Sequence, residues 1–269
     1  MTDLAIPSRG SEVNHISSFL SQVFRQYKDK LIEKGLGRNV RKPWMKYREI
    51  DLIGEILQTL RPQRCLEWGA GYSTTYFPSR LGNHGTWLSI EHDEEWAKVV
   101  RGINKRNSVT IEYVAPDNIR WGESSQDGTF KDFRNYIEFP ASSGPFDFIL
   151  VDGRARSACL QFAKEILNKR GVVILHDANR LSYREAWGSY PFQEVFTDYR
   201  SSVGGVWVGS NSADLGTFFD VEAHRKLWRI YSSLNTFNIG MAMHIWRSCE
   251  APTSLQGTSP QKNHLFCDP

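Results

Sequence analysis

The sequence predicts an α/β fold: a mostly parallel, seven-stranded sheet between two helical layers, closed by a terminal antiparallel hairpin. Three observations predict it. Apolar runs of strand length alternate with amphipathic segments of helix length from Arg64 to His176, the pattern of a parallel sheet covered on both faces. A glycine turn, Gly69-Ala70-Gly71, separates the first of these strands from its helix. Open α/β sheets bind ligands at such strand ends. Two short strands, around Glu194 to Tyr199 and Gly204 to Val208, are joined by Ser-Ser-Val-Gly-Gly and form the hairpin.

The elements follow in order. Residues 1–14 are polar. Ile16, Phe19, Leu20, Val23, Phe24, Tyr27 and Leu31 recur at helical spacing and predict an amphipathic helix over about 13–33, ended by Gly35 and Gly37. After a basic loop (Arg38, Arg41, Lys42), a second helix runs from Tyr47 to Leu60, with Ile50, Ile53, Ile56, Leu57 and Leu60 on one side, and Pro62 stops it. Both helices read as a lid or a platform, with packing the expected use of their apolar faces. The strands read as Arg64 to Trp68, Thr86 to Glu91, Val109 to Val114, Phe146 to Val151, and the run after Gly171. Helices lie between them at about 74–81, 94–105, 130–137 and 157–168, with a short one at 183–187. A last helix is expected within 221–246. The organisation is therefore a helical extension over 1–46, a core domain over 47–210, a second helical extension over 211–250, and a tail over 251–269 whose Ser, Pro, Gln and Gly read as disordered.

Composition narrows the function classes. With 40% hydrophobic and 13% aromatic residues a sizeable core is available, and a net charge of +3 is too mild to argue for nucleic acid. No apolar run approaches a membrane span and no signal core opens the chain, so the expectation is a cytoplasmic protein with no membrane and no nucleic-acid partner. The four cysteines, Cys65, Cys159, Cys249 and Cys267, form no C-x-x-C pair. A zinc site is not expected, and Cys65 and Cys159 read as small buried hydrophobes in a reducing compartment.

The glycine turn sits in RCLEWGAGYSTT, residues 64–75. A side chain at either glycine would keep the backbone away from a ligand, and one or both are expected to need φ > 0. Glu67, Gly69 and Gly71 resemble the E-x-G-x-G first motif of class I S-adenosylmethionine (SAM)-dependent methyltransferases, whose fold is Rossmann-like. The rival is a nicotinamide dinucleotide fold with G-x-G-x-x-G/A; position 74, where its third small residue belongs, is Thr. The closing hairpin also weighs against that rival, whose sixth strand is typically parallel. An ordinary ligand-free turn is the third reading.

Every strand end carries an acid or an amide: Glu67; Glu91-His92-Asp93; Asp117-Asn118; Asp152-Gly153-Arg154; His176-Asp177-Ala178-Asn179-Arg180. A carboxylate ending the second strand, Glu91, can accept from both ribose hydroxyls, a device common to SAM and nicotinamide enzymes. The resemblance implies SAM as cofactor, with Glu91 at the ribose. Glu67, Gly69 and Gly71 would line the methionine and sulfonium side, and Ala70, Tyr72, Ser73, Thr74, His92, Asp117 and Asp152 complete the expected cofactor contacts. Trp121, in the long connection after strand three, reads either as an adenine stack or as a cap on the core.

For chemistry, Asp152, His176 and Asp177 are the candidate proton acceptors; His176 reads equally as a core histidine satisfied by backbone. In catechol-type O-methyltransferases, acids at the Asp152 and Asp177 positions hold magnesium with an Asn directly after the second. Here the amide is Asn179, displaced by one residue, so no metal is assigned and Asp152 with Asp177 is kept only as a minor metal reading. VDGRARSAC and HDANR with Tyr183 look like a group of bacterial methyltransferase-like proteins carrying VDGR-x-R-x-x-C and HD-x-x-R-x-x-Y elements, a resemblance covering about 47–208. Arg154, Arg156, Arg180 and Tyr183 are the candidate acceptor-binding residues, because guanidinium suits oxyanions; the equal alternative is that Arg154 and Arg156 pair with acids to fix the loop. The expected function is O-methylation of a small polar or anionic acceptor, sugar- or carboxylate-like. The alternatives are an NAD(P)-dependent oxidoreductase, a nucleotide-sugar enzyme and a catalytically silent SAM-binding scaffold. The oligomeric state stays open.

Overall fold

The computed structural model describes residues 15–37, 40–82, 85–118, 121, 127–197 and 203–237. The expected N-terminal polar segment, the tail with Cys249 and Cys267, and Tyr199 with the two serines of the hairpin turn lie outside them. Contacts divide the chain after Ile230; of the second unit, residues 231–237 are described.

Seven strands form one sheet: β1 (Arg64–Trp68), β2 (Thr86–Glu91), β3 (Val109–Tyr113), β4 (Phe146–Val151), β5 (Leu167–His176), β6 (Phe192–Phe196) and β7 (Val206–Ser210). Their order is β3-β2-β1-β4-β5-β7-β6. β7 runs antiparallel to both neighbours, and all other pairings are parallel. This is the Rossmann-like sheet with the expected closing hairpin. The order reverses between β1 and β4, so the two strands that diverge there leave a crevice beyond their carboxyl ends.

Alternating side chains of the central strands feed two cores. Phe148 and Leu150 join Trp87 and Val172 under α2 (Tyr47–Leu60), while Ile149 and Val151 join Trp68, Val173 and Trp207 on the other face. That second face is covered by α5 (Arg134–Glu138) and α6 (Arg156–Ile166). α2 buries Ile50, Ile53, Ile56 and Leu57 as its spacing predicts, and ends where Arg61 turns left-handed (φ 47°) and donates to Leu57 O, just before Pro62. The helix after the glycine turn is shorter than expected: α3 (Tyr72–Tyr76) gives way to a 3₁₀ turn at Phe77–Arg80 because Pro78 lacks the amide to continue it. α4 (Glu94–Ile103) is capped by Asp93, which accepts from Trp96 N. α7 (Arg184–Trp187) and α8 (Val221–Phe237) are the last helices among the described residues; no described helix is long and apolar enough to cross a membrane.

One helix reverses its expected orientation. α1 (His15–Leu36) seats its polar side: Gln22 and Asp29 are buried, Gln22 and Arg25 donate to Asp51, and Tyr47 donates to Asp29. Leu20, Phe24, Tyr27 and Leu31, expected to pack, face solvent. Arg25 against the Tyr47 ring, 4.2 Å away, adds a cation–π contact to this polar seat.

Candidate functional site

The carboxyl ends of β1, β2 and β4 are laced into one rim. Gly69 N donates to Ile90 O (2.8 Å), Asp152 N to Trp68 O (2.9 Å) and Val114 N to Glu91 O (2.8 Å). Gly69 has φ +97°, and a Cβ there would lie 2.6 Å from Gly153 Cα. Only a glycine pair lets the β1 and β4 turns touch. Gly71 is extended, and a Cβ there would meet only Ser73 Oγ, 3.7 Å away. The space beside Gly71 is therefore open.

Glu67, next to last in β1, has no exposed surface. Thr74 Oγ1 (2.7 Å), Trp87 Nε1 (2.9 Å) and Ser89 Oγ (3.0 Å) all donate to its Oε2, whereas Oε1 is buried with no hydrogen-bond partner. Burial pushes this carboxyl up to about 7 against the pull of its hydrogen bonds. Thr74 also accepts from Gly71 N (2.9 Å), so one hydroxyl ties acid, turn and helix start together. Ser73 is buried beside it.

Glu91 latches the rim. Its Oε2 accepts from Ala70 N (2.9 Å) and its Oε1 from His92 N (2.8 Å) and Asp93 N (2.9 Å). Those bonds take most of a carboxylate's acceptor capacity. His92 meets Trp121 and Phe133 edge-on at 5.5 and 5.7 Å, and Arg154 lies over the Trp121 ring at 5.0 Å. Asp117 is drawn away to the start of α5, where Asn135 N and Nδ2 donate to it. Tyr72 and Trp96 meet edge-on at 6.3 Å, Trp96 Nε1 donates to Ala70 O (2.7 Å), and the largely exposed Trp44 stacks on Trp96 at 5.7 Å.

At the ends of β4 and β5 the candidate catalytic residues form a buried ion network. His176 Nδ1 is 2.9 Å from Asp152 Oδ1 and its Nε2 is 3.3 Å from Glu49 Oε2. Burial works against the charge on His176, but the charges and hydrogen bonds of Asp152 and Glu49 win and hold its pKa well above the usual value. Burial pushes Glu49 up, but its hydrogen bond to His176 and the charges of His176 and Lys46 win and hold it below its usual value. Glu49, on α2, also accepts from Lys46 N (2.7 Å) and Gly205 N (2.9 Å). With an acid at each ring nitrogen, His176 is a clamp between α2 and β4, and its raised pKa favours the charged ring over the free base.

Arg156 is the second buried cation. It donates to Gly153 O and His176 O, both at 2.9 Å, and lies 3.2 Å from Asp152 and from Asp177. Asp177, in the left-handed region (φ +60°), accepts from Gly204 N (2.6 Å) and Arg180 (3.0 Å) as well. Burial opposes its charge, yet His176 and Arg156 hold its pKa at about 2. Of the candidate acceptor-binding arginines, Arg156 pairs with Asp152 and Asp177, Arg180 pairs with Asp177, and Arg154 lies over Trp121. Tyr183 is buried, its hydroxyl 3.4 Å from Arg180, and burial raises its pKa to about 12. Among the described residues no group of three or more His, Cys, Asp or Glu forms a metal-ligand cluster.

Sequence reasoning missed Glu49, Asp127 and the Trp44–Trp96 pair. Asp127 accepts from Arg156 N (2.8 Å) and stands 4.0 Å from its Nε; burial raises its pKa against the nearby arginines. A shallow hollow of about 340 Å³ at the opposite, amino ends of the strands is lined by Arg64, Thr86 and Phe139 among others, and none of the predicted residues lines it.

No family profile matches the chain, and no curated protein sequence matches it. Among solved structures, the chain is similar to the Bacillus cereus O-methyltransferase in complex with SAH (14% identity, 77% of this chain, 94% of that one, TM-score 0.46). It is similar to O-methyltransferase TomG of Streptomyces achromogenes, involved in tomaymycin synthesis, in complex with SAM (14%, 70%, 89%, 0.45). A third is a spermidine synthase in complex with the transition state analogue AdoDATO (16%, 67%, 66%, 0.45). The chain spans about two thirds of that synthase's length.

Proposed function

We propose that this chain is a SAM-dependent methyltransferase acting on a hydroxyl of a small polar acceptor. The observation that carries the reading is Glu67 Oε1, a buried and unpartnered acceptor atom beside the glycine turn at the point where the sheet order reverses. A carboxylate kept dry with one oxygen unmatched fits a cationic ligand group, and SAM brings an ammonium and a sulfonium. The residues that would hold it are Glu67, the turn and helix start from Gly69 to Thr74, and the rim at Glu91 and His92. The open space beside Gly71 fits the same group. SAM supplies an electrophilic methyl. The chain's own part is to position the acceptor and to take its proton. Asp152 is the best-placed acceptor of that proton, since its side chain is 20% exposed, more than those of His176 and Asp177, and both of its cationic contacts fall on Oδ1. With Arg156 and Arg180 committed to acids, Arg154 alone favours an anionic acceptor group, so a neutral polyhydroxylated acceptor suits the cleft better.

Calorimetry with S-adenosylhomocysteine beside NAD and NADP tests the cofactor. Binding of the first, weakened by E67Q, supports the reading; binding of a nicotinamide nucleotide alone overturns it. Release of S-adenosylhomocysteine from SAM with a pool of hydroxylated acceptors separates an enzyme from a silent binder.

A further inference from the structure

The outward face of α1 takes no part in the cleft and has a pattern of its own. Leu20, Phe24, Tyr27 and Leu31 are 58%, 67%, 61% and 54% exposed. Their 4-3-4 spacing follows the repeat of roughly 3.5 residues of a helix–helix seam. The helix is held in place by its opposite, polar face through Asp51 and Tyr47, so the stripe is not the leftover edge of a core helix.

The stripe reads the same from either end: leucine, aromatic, aromatic, leucine. A two-fold axis passing between Arg25 and Gln26 would set Leu20 against Leu31, and Phe24 against Tyr27, of a second antiparallel helix. Charge is arranged to match. Residues 16–24 carry no charged side chain, while Lys28, Lys30 and Lys34 all lie in the second half. Antiparallel pairing puts these lysines beside Val23, Ser21 and Ser17, and sets the two helix dipoles head to tail. Parallel pairing would stack lysine on lysine. Val23, 41% exposed, flanks the stripe on one side, where antiparallel pairing sets it beside the stem of the partner's Lys28.

We infer that α1 pairs antiparallel with α1 of a second copy of this chain, making the protein a two-fold dimer through a self-complementary stripe. The cleft lies outside this contact, so the dimer is independent of the cofactor assigned above.

Sedimentation equilibrium of the full chain over the micromolar range reads the mass directly. Twice the 30.9 kDa chain mass is expected, with F24E and Y27E each weakening the dimer by about tenfold or more. These positions are exposed, so far-UV circular dichroism should match the parent. Orientation is read by cross-linking in a C249S/C267S background. L20C mixed with L31C forms a disulfide-linked dimer under mild oxidation, and neither forms one alone. A monomer at all concentrations, a dimer indifferent to F24E, L20C linking to itself, or a monomer that instead pellets with anionic phosphatidylserine vesicles overturns the inference.

Discussion

Glu49 and His176 are 127 residues apart in the chain and 3.3 Å apart in the fold. The contact fastens α2 to the carboxyl end of β5, and Asp152 completes it from the other side. His176 is raised above its ordinary pKa of ~6.5. Its stabilising charge is therefore fully present below about pH 6.5 and is lost as the pH climbs through its higher folded value. Glu49 is lowered, so its share is present above its ordinary ~4.3 and is lost as the pH falls through the folded value. Replacing the imidazole leaves Glu49 buried without its hydrogen-bonded cation, with only the charge of Lys46 still acting on it. H176Q should cost about 3–5 kcal/mol near neutrality. Urea melts at several pH values check the sign: the gap to the parent must narrow as the solution becomes alkaline, and a gap that widens removes the imidazolium.

Glu67 runs the opposite way. Its folded carboxyl sits near 7, above the unfolded value, so the folded state holds a proton that the unfolded chain has lost. Ligand-free stability should fall as the pH rises from about 4.3 through about 7. E67Q keeps a carbonyl for Thr74, Trp87 and Ser89 and removes the dry charge. It should stabilise the ligand-free protein above pH ~8 by about 1–3 kcal/mol. S-adenosylhomocysteine affinity should drop about ten- to a hundredfold, the worth of a hydrogen bond to a charged group. Thermal melts and calorimetry on one sample read both, and a variant that loses stability without losing affinity would show the acid to be structural only.

Much of the sheet was legible because strand burial and sequence pattern coincide. Phe146 to Val151 is apolar throughout and lies between β1 and β5, covered on both faces. The glycine turn was legible for the same local reason: φ at Gly69 is positive and contact with Gly153 excludes a Cβ. Pairing between distant side chains was not. Glu49 stands three residues after Lys46, at a helix start, and so reads as a capping acid; it is one, through Lys46 N, and also the partner of His176. Arg154 and Arg156 sit two apart, yet one covers a tryptophan and the other fills a carboxylate cluster. α1 misled because helical periodicity reports an apolar face without saying what faces it.

The two glycines of the turn should fail differently. A methyl at Gly69 meets the Gly153 backbone at 2.6 Å, and φ +97° disfavours any side chain. G69A should destabilise by several kcal/mol, about 3 or more, through strain and separation of β1 from β4. Gly71 is extended with room beside it. G71A should stay within about 1 kcal/mol of the parent while losing most S-adenosylhomocysteine binding, because the methyl occupies ligand space. Chemical melts beside calorimetry separate the cases. A G71A protein that binds normally would move the ligand away from this turn.

Arg156 decides between an acceptor-binding arginine and an internal one. Its guanidinium reaches Gly153 O, His176 O, Asp152 and Asp177 together, a spread that a single ammonium cannot reproduce. R156K should therefore cost stability, about 2–4 kcal/mol, despite keeping the charge. R156A should cost more, because Asp127, Asp152 and Asp177 then face one another with less countercharge. Losing that cation raises the pKa of Asp127 and Asp177, which Arg156 holds down, so acid relieves the repulsion, and the R156A defect should shrink between about pH 7.5 and pH 5. Urea melts of both variants at the two pH values give the answer. An arginine held in reserve for an anionic acceptor would leave R156K as stable as the parent at either pH, whereas the internal network requires a loss in both.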